Sequence, residues 1–152
     1  MELTKKGYLK QLSLYLSNKD YGQAYPLAKQ FLEEYPDEMM ANYLYATAAF
    51  WAGENENAAK YGRMAFNLSK SPDDLLASAI ITSSAYYELK QYQKAFDMLS
   101  SMEKLKYNEE IEKLLFVFSL ALKDEKEAYK HAKNLYVMNK KAAQELLKKF
   151  IG

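Results

Sequence analysis

The chain has 152 residues, a formal net charge of +1, no cysteine and one histidine. That length suits one domain burying roughly 68–70% of its unfolded surface, and that charge sets up no global field toward nucleic acid or an anionic membrane. Without cysteine there is no disulfide framework, zinc knuckle or thiol chemistry, and no apolar run approaches the ~20 residues of a membrane span.

The charge is uneven. Residues 104–152 hold 11 Lys against 7 acids, while residues 1–103 hold 10 basic against 13 acidic groups, giving +4 and −3. This is a mild dipole with a basic C-terminal end, and such ends read as solvated helix faces. The stretch Met1-Glu2-Leu3-Thr4-Lys5-Lys6-Gly7 has no apolar h-region, so no signal peptide is expected and a cytoplasmic location is the simplest reading.

The first predicted helix covers about 5–18, with Tyr8, Leu9, Leu12, Tyr15 and Leu16 at helical spacing. Asp20 is placed to cap the second, with Gln23 at the capping-box position, and Pro36 stops it after Tyr35. Pro26 falls inside this helix and crowds the carbonyl of Gly22, so a bend is expected rather than a break. Asp37 is the expected N-cap of the third helix, and Gly53 its left-handed C′ residue. The fourth carries Ala58, Tyr61, Gly62, Ala65 and Phe66. The fifth has the clearest start, with Ser71 as N-cap, Pro72 at N1, and Asp73 and Asp74 in the first turn. The sixth follows Gln91-Tyr92 and holds Ala95 and Leu99. Asn108 and Asp124 cap the next two, with Glu127 in box position. A ninth, about 140–151, has Leu146, Leu147 and Phe150 on one face and reads as a solubilising lid.

These elements repeat. Ala24, Ala58, Ala95 and Ala128 stand 34, 37 and 33 residues apart, each behind a polar turn. The longer interval is absorbed by extra residues in the Leu68–Pro72 connection. A period near 34 with a fixed small residue marks stacked helix pairs. Ala24 and Ala28, Ala58 and Gly62, and Ala128 and Ala132 are i, i+4 pairs on one helix face. Such pairs let helices cross closely; Leu99 takes that place in the third repeat, where different packing is expected.

The pattern resembles the tetratricopeptide repeat family. The first repeat matches at Tyr21, Ala24, Ala28 and Pro36, with Leu12 at the usual small position. The second matches at Ala46, Gly53, Ala58 and Ala65, and the third at Ser83, Tyr86, Tyr92 and Ala95. The fourth keeps Ala128 and Ala132, with Phe116 at the small position. The resemblance implies an all-α, right-handed superhelical stack of four helix-turn-helix repeats at about 5–38, 39–75, 76–108 and 109–140, plus a capping helix. It also implies a protein that binds another protein or peptide segment and is not an enzyme.

In that family the first helix of each pair lines a concave groove. Carried over, the groove would present Leu9, Ser13 and Leu16; Tyr43, Thr47, Phe50 and Trp51; Ile80, Ser84 and Tyr87; and Lys113, Val117 and Leu120. The wall is apolar and aromatic, as partner surfaces are; the competing reading is that neighbouring helices cover these side chains. Members that grip acidic chaperone tails use Lys and Asn in the first helix and Lys and Arg in the fifth. Here those places hold Leu9, Ser13, Ala77 and Ile81, so that clamp is absent.

The chemistry-bearing residues are sparse. His131 alone cannot build a metal site and is expected on a helix surface. Glu109, Glu110 and Glu112 are explained by the dipole of a helix start, and Glu33 and Glu34 as solvated surface. No phosphate loop, catalytic triad or metal-ligand spacing is present, so no cofactor or metal is expected. The Asn67-Leu68-Ser69 sequon reads as chance. Two functions remain: a chaperone-like adaptor with a partner in its groove, or an assembly subunit that self-associates or docks on a larger complex.

Overall fold

The computed structural model describes residues 3–104 and 108–150. Among these residues the chain forms nine helices and no strand. Ile151, the last residue of the expected ninth helix, lies outside the described residues. The chain divides into two compact units, one ending at Leu89 and the other beginning at Lys90. The first holds α1 (Lys5–Ser17), α2 (Tyr21–Glu34), α3 (Met39–Trp51), α4 (Asn55–Leu68) and α5 (Pro72–Glu88). The second holds α6 (Tyr92–Ser100), α7 (Glu109–Ala121), α8 (Glu125–Met138) and α9 (Lys140–Phe150).

The turns carry the repeat as clearly as the alanines do. Lys19, Gly53, Lys90 and Lys123 all adopt left-handed backbone, with φ of 57°, 83°, 63° and 60°. Each lies five residues before one of the four alanines. At Lys19, Gly53 and Lys123 the chain reverses through paired hydrogen bonds. The left-handed residue donates to the carbonyl of Leu16, Phe50 or Leu120, and the next residue donates to Tyr15, Ala49 or Ser119. These bonds satisfy carbonyls that the helix end leaves orphaned. Only Gly53 is legible as such a residue in the sequence; the lysines accept a conformation that glycine would adopt without strain.

Most helix starts agree with the expected caps. Ser71 Oγ accepts from Asp74 N at 3.1 Å, and Asn108 Oδ1 from Glu110 N at 2.7 Å. Asp20 and Asp124 accept from Gln23 N and Glu127 N at 3.4 and 3.1 Å. Their capping boxes do not close, because Gln23 turns back to the Asp20 carboxylate and Glu127 turns to His131. Asp37 is not the cap of α3. Glu38 occupies that position without a side-chain cap bond, its carboxylate drawn to Lys5 Nζ at 2.8 Å. Buried Asn42 holds the turn instead, donating to the carbonyls of Pro36 and Glu38 at 3.0 and 2.8 Å. Pro26 lies inside an unbroken α2.

In the first unit the small residues do what their spacing implies. Ala24, Ala28 and Ala58 are fully buried, and a Cβ added at Gly62 would collide with Thr82 Oγ1 on α5. The α4 and α5 backbones therefore approach closely at Gly62. The tyrosines fill the wider gaps. Tyr8 stacks on Phe31 with ring centres 4.8 Å apart, and its hydroxyl donates to Glu34 at 2.6 Å. Tyr45 meets Tyr25 and Tyr61 at 5.5 and 4.9 Å.

In the second unit Ala95 and Leu99 are fully buried, and Phe116, Ala128 and Ala132 form a core cluster. Leu146 and Leu147 of α9 pack against that cluster, and Ala143 is fully buried. Truncation before Lys140 is therefore expected to lower the unfolding midpoint and promote aggregation, since an end helix shields the apolar face of its neighbour. Thermal unfolding and light scattering of the truncated chain check this; an unchanged midpoint would reduce α9 to an appendage.

Candidate functional site

The expected groove residues of the first unit share one property: none is buried. Leu9, Leu16, Tyr43, Thr47, Phe50, Ile80, Ser84 and Tyr87 are half-exposed, Ser13 is exposed, and Trp51 is 55% exposed. The opposite faces of the same helices supply the core through Tyr8 and Leu12, through Leu44, Ala48 and Ala49, and through Leu76, Ala79 and Ala85. α1 adjoins α3, and α3 adjoins α5. Trp51 is braced from α2, its indole stacked on Tyr21 at 5.6 Å and met edge-on by Phe50 at 5.2 Å. Bracing fixes an aromatic while leaving much of its surface to solvent, which lowers the entropy lost when a partner covers it.

The remaining expected residues lie in the second unit. Lys113 is half-exposed, whereas Val117 and Leu120 pack against the Phe116 cluster. Leu120 also lines an apolar cavity of about 600 Å³ with Phe116, Ala132 and Leu147, rimmed by Glu125 and Lys133. Beside it α8 exposes Tyr129, Tyr136 and Val137.

The same unit contains a group that the sequence reading did not assemble. His131, expected on a helix surface, is buried at 1% exposure, and Glu112, explained in the sequence by the dipole of a helix start, is wholly buried. His131 shares one stripe of α8 with Ala128, Ala132 and Leu135, and Glu112 shares one of α7 with Ile111, Leu115 and Ser119, so both face inward. His131 Nδ1 lies 2.6 Å from Glu112 Oε2 and 3.4 Å from Glu103 Oε2. Its Nε2 lies 3.2 Å from Glu127 Oε2, and Asn134 Nδ2 donates to Glu112 Oε2 at 3.3 Å. Two carboxylate oxygens, Glu103 Oε2 and Glu112 Oε1, are shielded from solvent without a hydrogen-bond donor.

The carboxyls are pushed apart in acidity. Burial, then the facing Glu112 carboxyl, pushes Glu103 up to about 7. Burial also opposes charge on Glu112, but the interactions with His131, Glu103 and Asn134 win and hold it below the usual carboxylate range.

No protein-family model matches the sequence, and no curated protein does. Solved structures do match. TTC0263, described as a thermophilic TPR protein in Thermus thermophilus, superposes with a TM-score of 0.79 at 16% identity, covering 97% of this chain and 84% of its own. The MamA protein superposes with a TM-score of 0.76 at 17% identity, covering 97% of this chain and 76% of its own. The fold is that of tetratricopeptide-repeat proteins. At these identities the likeness is one of fold.

Within that fold the buried carboxyl pair has a measurable consequence in metal-free buffer. A group whose folded pKa is raised binds more protons folded than unfolded, so stability falls as pH rises between the ordinary 4.5 and about 7. The groups facing Glu103 are Glu112, His131 and Lys130. Glu103→Gln removes the ionisation and keeps the shape. It is expected to raise stability by about 2–3 kcal/mol more at pH 8 than at pH 5. Urea unfolding at the two pH values checks this; equal effects at both would place Glu103 in ordinary solvent contact.

Proposed function

We propose that this chain is a protein-interaction scaffold whose α1, α3 and α5 face receives an extended or helical segment of a partner. The observation that carries this reading is the exposed, braced indole of Trp51 in a row of half-exposed aromatic and aliphatic side chains. Aromatic anchors of this kind dominate binding energy at protein interfaces. The repeat fold supports the reading; the role would be that of an adaptor, chaperone-like in holding a segment of another protein. It assigns no catalysis. Among the described residues no helix is long and apolar enough to cross a membrane, and we place the activity in the cytoplasm.

Trp51 is the sole tryptophan, so its fluorescence reports directly on the surface. In the free protein the indole is expected to be quenchable by iodide, and to become shielded when a partner segment is added. Phe50→Ala and Tyr87→Ala are expected to weaken that binding by about 1–2 kcal/mol each, with the unfolding midpoint retained. An indole already shielded in the free protein, or variants that unfold, would make these residues core.

A second reading rests on α8, whose outward face carries exposed Tyr129, Tyr136 and Val137 beside the apolar cavity. Such a face suits an assembly subunit that self-associates or docks on a larger complex. A concentration series by light scattering separates the two, since only the second makes mass rise with concentration and fall on Val137→Lys.

A further inference from the structure

We propose that Glu103, Glu112 and His131 bind a single divalent transition-metal ion of the zinc class, which ties the segment after α6 to α7 and α8. One ligand atom from each residue lies within 4.8 Å of the others. Zinc bonds of about 2.0–2.2 Å set tetrahedral ligand atoms about 3.3–3.6 Å apart. The 3.4 Å between His131 Nδ1 and Glu103 Oε2 has that spacing already. The 2.6 Å between Nδ1 and Glu112 Oε2 is a proton-bridged distance; exchanging the proton for a cation opens it by less than about 1 Å.

The case rests on more than clustered acids. Glu112 is wholly buried and its Oε1 has no donor, and the shielded Oε2 of Glu103 has none either. A buried carboxylate oxygen without a donor is costly. Within the cluster these two carboxyls can satisfy each other only by sharing a proton, and a cation would take that proton's place. The surroundings match those of a ligating histidine. Such a histidine donates its other ring N–H to a carboxylate, and here Nε2 faces Glu127 Oε2 at 3.2 Å. Asn134 in turn holds Glu112 by its Oε2.

The imidazole favours zinc-like ions over calcium or magnesium, which prefer all-oxygen sets. Glu103, with 21% of its side chain exposed, gives a path in from solvent. Three protein ligands leave a fourth position for water. The proposal is independent of the partner surface on the first unit.

The test uses the untagged full chain, stripped with chelator and titrated with zinc chloride by calorimetry. With one histidine and no cysteine in the chain, tight one-to-one binding has few alternative sources. The expected result is one equivalent of zinc, with the Nδ1 resonance of the lone imidazole shifting in a ¹⁵N spectrum. Glu127→Gln is expected to weaken binding about 10–100-fold, and Glu103→Gln at least as much, while Glu125→Gln leaves it unchanged. Magnesium in excess should not compete. Absence of zinc binding, or an unmoved Nδ1 resonance, overturns the proposal. So does binding that survives Glu103→Gln, which would mean loose association with surface carboxylates. The wild-type resonance decides the matter even where a variant folds poorly.

Discussion

Gly62→Leu is expected to destabilise the first unit by about 3 kcal/mol or more, at the upper end of overpacking effects, and Gly62→Ala by about 1–2 kcal/mol. Even the Cβ would collide with Thr82 Oγ1 and stand 3.4 Å from the Thr82 backbone. Thr82 cannot swing aside cheaply, because it is wholly buried and its hydroxyl donates to the Ser78 carbonyl at 2.6 Å. Alanine at an exposed helix position would gain about 1 kcal/mol over glycine, so a net loss isolates the cost of the clash. Thr82→Ala removes the obstructing atom. Combined with Gly62→Ala, it should recover most of the loss, and the coupling between the two changes measures the contact. Additive effects in urea unfolding would show that α4 and α5 can separate at this crossing.

That contact was partly legible in the sequence and partly not. A small pair, Ala58 and Gly62, in phase with the small pairs of other repeats marks a close crossing, because helix spacing depends on the bulk at the contact. What Gly62 meets is a tertiary fact, and Thr82 carries no local sign of it. The turns show the same division. Gly53 signals left-handed backbone through its missing side chain, whereas Lys19, Lys90 and Lys123 carry no such local sign, and at Lys19 and Lys123 the supporting hydrogen bonds exist only in the folded turn. The Asp37 cap failed because Glu38 is drawn to Lys5, which is distant along the chain. The row on α1, α3 and α5 came from the family resemblance, carried over position by position onto the first helix of each pair. The buried cluster was not legible, because a charged residue type outweighed position. His131 and Glu112 sit on inward stripes, and reading the stripe before the residue type would have found both.

His131→Ala is expected to cost the second unit about 3 kcal/mol near neutral pH in metal-free buffer, the scale for depriving a buried charged group of a hydrogen-bond partner. The change strips Glu112 of its 2.6 Å neighbour and leaves Asn134 as its nitrogen donor. Burial, which now acts against the held-down acidity of Glu112, would then dominate and raise its pKa. The pH dependence follows with a definite sign. In the wild type the depressed pKa of Glu112 contributes stability above the ordinary 4.5, and that contribution is lost as pH falls through the folded value. In the variant a raised pKa makes stability fall as pH rises. The gap between the two proteins should therefore be widest near pH 8 and close toward pH 4. Glu112→Leu added to His131→Ala should restore part of the loss, because no buried charge then lacks a partner. Urea unfolding across that pH range checks all three expectations. A gap that stays constant with pH, or a double variant no more stable than His131→Ala, would reduce His131 to a filler of space. A gap that widens as pH rises arises only if the imidazole holds a buried carboxylate in its charged form, which is also what leaves Glu112 Oε1 able to accept a cation.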